Sequence, residues 1–98
     1  MALEIDIELE FVDRAKGQGW IAEKFEFVGR RGAPDRLVLL PGGIICFIEF
    51  KRTPKDRPSP QQLKFKQEAE ALSHHWLLTS SVDEAMRFCK NLLVYCDI

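Results

Sequence analysis

Gly32-Ala33-Pro34-Asp35-Arg36-Leu37-Val38-Leu39-Leu40-Pro41-Gly42-Gly43-Ile44-Ile45-Cys46-Phe47-Ile48-Glu49-Phe50-Lys51 is two runs of strand-forming residues separated by three that favour a turn. Residues 36–40 and 44–51 are therefore expected to pair as a β-hairpin around Pro41-Gly42-Gly43. Side chains alternate across a strand, so Glu49 and Lys51 share one face while Phe50 points the other way, into the core. Antiparallel pairing across so short a turn brings the start of the second strand to the end of the third, and Asp35 toward Glu49. Two carboxylates and an ammonium should then meet on one surface.

On the N-terminal side, residues 4–16 carry Ile7, Phe11 and Ala15 at helical spacing with Leu9 and Val12 beside them, and Gly17 and Gly19 stop the helix. Residues 20–28 read as a strand with Ile21, Phe25 and Phe27 as candidates for burial, and residues 29–34 as a flexible loop. On the C-terminal side, Pro54, Pro58 and Pro60 forbid strand or helix over 53–60. Ser59, Pro60 and Gln62 then signal a helix start, and the helix is expected to run to about Leu72, burying Phe65, Ala69 and Leu72. A short strand at 76–79 follows, and Ser80 or Ser81 caps a last helix carrying Val82, Ala85, Met86 and Cys89. The order is helix, three strands, helix, strand, helix: an α/β (α+β) chain with helices flanking a central mixed sheet. No internal repeat, linker or low-complexity stretch interrupts it.

The chain's 98 residues suit a single domain, 1–98, with one core. No apolar run approaches membrane-spanning length and the N-terminus lacks signal-peptide character, so a cytoplasmic protein with no membrane partner is expected. Cys46, Cys89 and Cys96 are odd in number and widely spaced, which argues against a disulfide framework or a structural zinc site and for reduced, mostly buried thiols. His74 and His75 enter a strand on opposite faces, and Trp20 and Trp76 read as core or interface residues. The formal net charge is −1, yet residues 30–66 hold nine bases (Arg30, Arg31, Arg36, Lys51, Arg52, Lys55, Arg57, Lys64, Lys66) against three acids (Asp35, Glu49, Asp56). Such asymmetry suits a polyanion-binding face, and equally a solvated basic loop.

Phosphodiester hydrolysis uses a set such as Asp35, Glu49 and Lys51. Mg²⁺ or Mn²⁺ prefers oxygen ligands and keeps several waters, so one or two carboxylates plus a substrate phosphate hold it. A nearby lysine orients the attacking water or neutralises developing charge. Asp35 and Glu49 would be ligands, the backbone carbonyl of Phe50 a further one, and Lys51 the catalytic partner. Alone, Pro34-Asp35 is a turn device and Glu49 with Lys51 an exposed ion pair; their joint order carries the reading. No Gly-rich phosphate loop or nucleophile elbow is present, and no organic cofactor is expected.

The quoted segment, followed by Ser59-Pro60-Gln61-Gln62, resembles the VRR-Nuc family, the virus-type replication-repair nucleases, from about Glu8 to Asp83. That family lies within the PD-(D/E)xK superfamily, and the resemblance implies a restriction-endonuclease-like αβββαβ core. It also implies a stand-alone, metal-dependent, structure-specific DNA endonuclease acting in DNA repair, a homodimer that cuts branched DNA with Holliday junctions foremost. Position by position, Asp35, Glu49 and Lys51 match the family's central motif, and Glu8 matches an acidic residue of the first helix that reaches the metal site. Glu4 lies one turn earlier on the same face as a competitor. Gln62 matches a family glutamine and also completes a capping box with Ser59, so it is expected to serve both roles at different times, with the active site favoured. Lys24 resembles a basic position, read as a phosphate contact or a solvated strand lysine, and joins Arg30, Arg31, Arg36, Arg52, Lys55 and Arg57 as the candidate DNA-binding set.

A four-way junction has near two-fold symmetry, so symmetric incision calls for two active sites and hence two chains. The apolar tail Leu92-Leu93-Val94-Tyr95 with the last helix is the candidate dimer surface, packing on the protomer's own core being the alternative. Two other readings stand beside the nuclease: a non-catalytic DNA-binding module that kept the fold, and an interaction domain with no nucleic-acid partner. The acid cluster argues against both, because buried carboxylates with nothing to bind are costly.

Overall fold

The computed structural model describes residues 3–94. Helix α1 (Glu4–Gly17) is followed by β1 (Ile21–Glu23), β2 (Arg36–Leu40), a 3₁₀ turn at Pro41–Gly43, β3 (Ile44–Phe50), α2 (Pro60–Ala71), β4 (His75–Thr79) and α3 (Val82–Val94). The strands form one mixed sheet in the order β1-β2-β3-β4. The expected hairpin is β2 and β3, antiparallel with Arg36 opposite Ile48 and Leu40 opposite Ile44. Gly42 and Gly43 supply the positive φ angles of 79° and 76° that so tight a reversal needs. β4 runs parallel to β3, which requires a crossover, and α2 provides it.

Alternation along β3 divides the sheet's two faces. Cys46, Ile48 and Phe50 are fully buried beneath α1 and α3 in a core with Ile7, Phe11, Ala15, Ala85, Met86 and Cys89. The Phe11 and Phe50 rings lie 5.5 Å apart and lock α1 to the end of β3. Acidic residues in the first turn of α1 and basic ones in its last also suit the helix dipole. The opposite face carries Phe47 against Phe65 of α2, ring centroids 5.1 Å apart. Trp20 and Trp76 are buried, and the Sγ atoms of buried Cys46 and Cys89 lie 3.7 Å apart. Cys96 lies outside the described residues.

Three expectations are corrected. The strand over 20–28 is only Ile21–Glu23, because the partner strand β2 begins at Arg36 and pairing runs out at Glu23 opposite Leu37. Ile21 is accordingly not buried; it sits in an exposed row with Leu39 and Ile45, while Phe25 and Phe27 are half-buried in an aromatic cluster. Leu72 is also exposed: it follows the last helical residue and closes α2 through its backbone N–H to the Ala69 carbonyl. Of the candidate dimer surface, Leu92 and Leu93 pack against the protomer's own core, Val94 is exposed, and Tyr95 lies outside the described residues. Among the described residues no helix is long and apolar enough to cross a membrane.

Candidate active site

Asp35 stands one residue before β2, its backbone preceded by the buried Pro34, and extending the Arg36–Ile48 register by one step sets it opposite Glu49. The two residues hold each other. The Asp35 amide donates to Glu49 Oε1 at 3.0 Å, and the Phe50 amide donates to Asp35 Oδ2 at 2.8 Å. On its other side, Glu49 Oε2 lies 3.1 Å from Lys51 Nζ and accepts from Gln62 Nε2. Lys51 stays on the same strand edge because its amide donates to the Thr79 carbonyl at 2.8 Å, tying β3 to β4. Sequence parity and the hairpin thus bring Asp35, Glu49 and Lys51 together, and the first turn of α2 adds Gln62.

Glu49 is 2% exposed. Removal from water and then the charge of Asp35 push its carboxyl up to about 7, against the opposing pull of Lys51 and Gln62. Glu49 therefore resists ionisation beside Asp35 unless positive charge beyond that of Lys51 joins them. Gln62 does two jobs at once: its Oε1 accepts from the Ser59 amide at 2.9 Å, its backbone amide donates to Ser59 Oγ at 3.1 Å, and its Nε2 faces Glu49. The capping box and the site share one side chain, so the roles expected at different times coexist.

The two acids of α1 have different surroundings. Buried Glu8 is forked by Arg36, with Oε2 2.8 Å from Nε and 2.7 Å from Nη2, and Lys24 Nζ is 4.0 Å away. Arg36 also reaches the Ala22 carbonyl at 3.3 Å, so this pair clamps α1 to the sheet. Glu4 lies nearer the solvent side; partial burial first, then Asp35, raises its carboxyl, while Lys51 opposes. It shares a cleft with Lys51, Arg52, Asp56 and Arg57. Two further clefts adjoin: one lined by Lys24, Phe25, Pro34 and Asp35, and another running from Lys51 past Thr53 and Ser81 to Arg87.

Among the described residues, no three of His, Cys, Asp and Glu are grouped as a preformed metal cage. The donor chemistry nevertheless fits a hard divalent cation. Asp35 and Glu49 present oxygens from adjoining strands, and such an ion needs only one or two carboxylates when water and phosphate complete its shell.

The candidate nucleic-acid residues divide. Arg31, Arg52, Lys55 and Arg57 are exposed and in no ion pair among the described residues. Lys24 points outward, two-thirds exposed. Arg30 is bonded to Glu68 at 2.6 Å and stacked over Phe27 at 5.2 Å. Arg36 corrects its expectation: with its side chain 11% exposed and its guanidinium committed to Glu8, it is not available to a phosphate in this arrangement. Arg87 was missed by sequence reasoning, because only the parallel β3–β4 pairing brings the start of α3 beside Lys51.

Comparisons with known proteins bear on the family and the fold. No family model matches the chain. A protein provisionally named nuclease p44, from Acyrthosiphon pisum secondary endosymbiont phage 1, is 44% identical over 80 residues, covering 82% of this chain and 85% of that protein. A solved structure described as a VRR_NUC domain superposes with a TM-score of 0.81 at 30% identity, covering 88% of this chain and 97% of that one.

Proposed function

The chain belongs to the VRR-Nuc family of nucleases, and on that premise we propose that it is a Mg²⁺- or Mn²⁺-dependent, structure-specific endonuclease that hydrolyses phosphodiester bonds in branched DNA. Four-way junctions are the leading substrate, cut by a homodimer in the cytoplasm of a bacterial or phage-infected cell during DNA repair. The observation that carries the reading is the reciprocal lock of Asp35 and Glu49 with Lys51 and Gln62 on the same carboxylate.

Asp35 and Glu49 would hold the cation. The N–H and C=O of one strand residue share an edge, so the Phe50 carbonyl faces the Asp35 side, as its amide does, and suits a further ligand. Of the two α1 acids, Glu4 fits an approach to the ion better than Glu8, whose charge is already met by Arg36. When bound, the cation supplies charge neutralisation at the phosphoryl oxygens and acidifies the attacking water. Lys51 orients that water or neutralises charge developing on the phosphate, and Gln62 keeps the Glu49 carboxylate turned toward Asp35. Arg31, Arg52, Lys55 and Arg57 line the flanks for the DNA backbone.

The test is cleavage of a labelled four-way junction with Mg²⁺ or Mn²⁺ by the purified protein. Cutting is expected from the wild type and should be abolished in Asp35→Ala and Lys51→Ala, with circular dichroism unchanged. Binding without cleavage under either metal would turn the reading to a non-catalytic DNA-binding module. No binding even at low salt would turn it to an interaction domain.

A further inference from the structure

Among the described residues, Val28 is the most exposed large apolar residue, at 103% of its extended-chain reference. It sits at the tip of the segment between β1 and β2, and both sides of that tip are anchored. Before it, Phe27 packs on Phe65 at 4.9 Å and on Phe25 at 5.7 Å, and Phe25 packs on Phe47 at 6.0 Å. After it, Arg30 is held by Glu68 and stacked on Phe27, and Gly32, at φ 98°, lies so close to the Gln61 backbone that a Cβ would collide. The tip is a braced projection whose flanking aromatic rings turn inward while a valine is left in water.

The two ends of the same segment, residues 24–26 and 33–35, line a cleft that reaches the candidate active site, and the tip joins those two ends. Lys24 and Arg31 lie on either side of it in the sequence, with exposed Glu26 between Lys24 and Val28. Small apolar side chains presented to DNA in this way enter base steps, and the insertion is favourable where stacking is already interrupted. A continuous duplex offers no such opening; a branch point does.

We infer that Val28 is a wedge that contacts the exposed base faces at a helical discontinuity and so selects branched over linear DNA. The inference rests on the branched-DNA reading above and supplies its means of selection. Because Val28 touches no core, Val28→Ser should leave the melting temperature unchanged.

The test uses the full chain and a four-way junction carrying 2-aminopurine at its branch. In the Asp35→Ala background with Mg²⁺, binding should raise the fluorescence as the base unstacks. That rise should vanish in Asp35→Ala/Val28→Ser and persist in Asp35→Ala/Val28→Phe. With Asp35 intact, Val28→Ser should lower the ratio of junction to linear-duplex cleavage by roughly tenfold. A fluorescence rise and a cleavage ratio both unchanged in the serine variants would overturn the wedge and leave the nuclease reading standing. A wild-type protein that cuts no DNA with either metal would overturn the nuclease reading, and the further absence of a fluorescence rise from Asp35→Ala would overturn both.

Discussion

At Glu49, burial and the neighbouring Asp35 lift the carboxyl from 4.5 to about 7, so the folded chain keeps a proton there that the unfolded chain has released. Between those values the native state binds more protons than the unfolded state, and this contribution is fully present below the unfolded value and lost as pH rises through about 7. Glu68 and Asp83, held low by Arg30 and Arg14, act in the opposite sense, so the contrast with Glu49→Gln isolates the effect. Urea denaturation in EDTA should show the wild type losing stability relative to Glu49→Gln between about pH 5 and about pH 8, and added Mn²⁺ should stabilise the wild type more at the higher pH. Asp35, Glu49 and Lys51 were legible as a group because strand parity and a short turn leave little freedom in where they point. The different surroundings of Glu4 and Glu8 were not, since one helical turn separates them on the same face and only the distant Arg36 and Lys24, which meet Glu8, set them apart.

Among the elements, the hairpin and the start of α2 could be read from local chemistry: a Pro-Gly-Gly reversal and a Ser-Pro-x-Gln cap each specify backbone within a few residues. β1 could not be read in full. Alternating apolar residues from 21 to 27 look like a strand, but strand length is set by the partner, and β2 offers only five residues. The aromatic spacing that suggested a strand instead anchors the loop to α2. Gly32 is where that loop meets the first turn of α2, and it needs both a positive φ and the absence of a side chain. Gly32→Ala should therefore destabilise the fold by more than about 1 kcal/mol in chemical denaturation. It should also slow cleavage, since Pro34 and Asp35 follow directly. An alanine variant of full stability and activity would mean that the contact with Gln61 is readily relieved.

Across the whole molecule, a formal net charge of −1 conceals a basic flank in the sequence, nine bases against three acids over residues 30–66. Four cations in that flank, Arg31, Arg52, Lys55 and Arg57, are free of ion pairs among the described residues. If each neutralises one phosphate, log K should fall against log salt with a slope near −3.6, or roughly a hundredfold loss from 50 to 200 mM. Arg57→Ala should make that slope about one unit shallower, whereas Arg36→Ala should act mainly through stability, because its partner Glu8 is buried. Titrations over a salt series separate the two, and an unchanged slope in Arg57→Ala would remove that residue from the DNA path. At the centre of this field, the peptide units of Phe50 and Lys51 are tethered in opposite directions, one to the Asp35 carboxylate and the next to the Thr79 carbonyl. The strand cannot swivel without unzipping a neighbour, so the entropy of aligning acid, acid and amine is spent once, when the sheet forms, and a phosphate brought to them would meet a preorganised constellation.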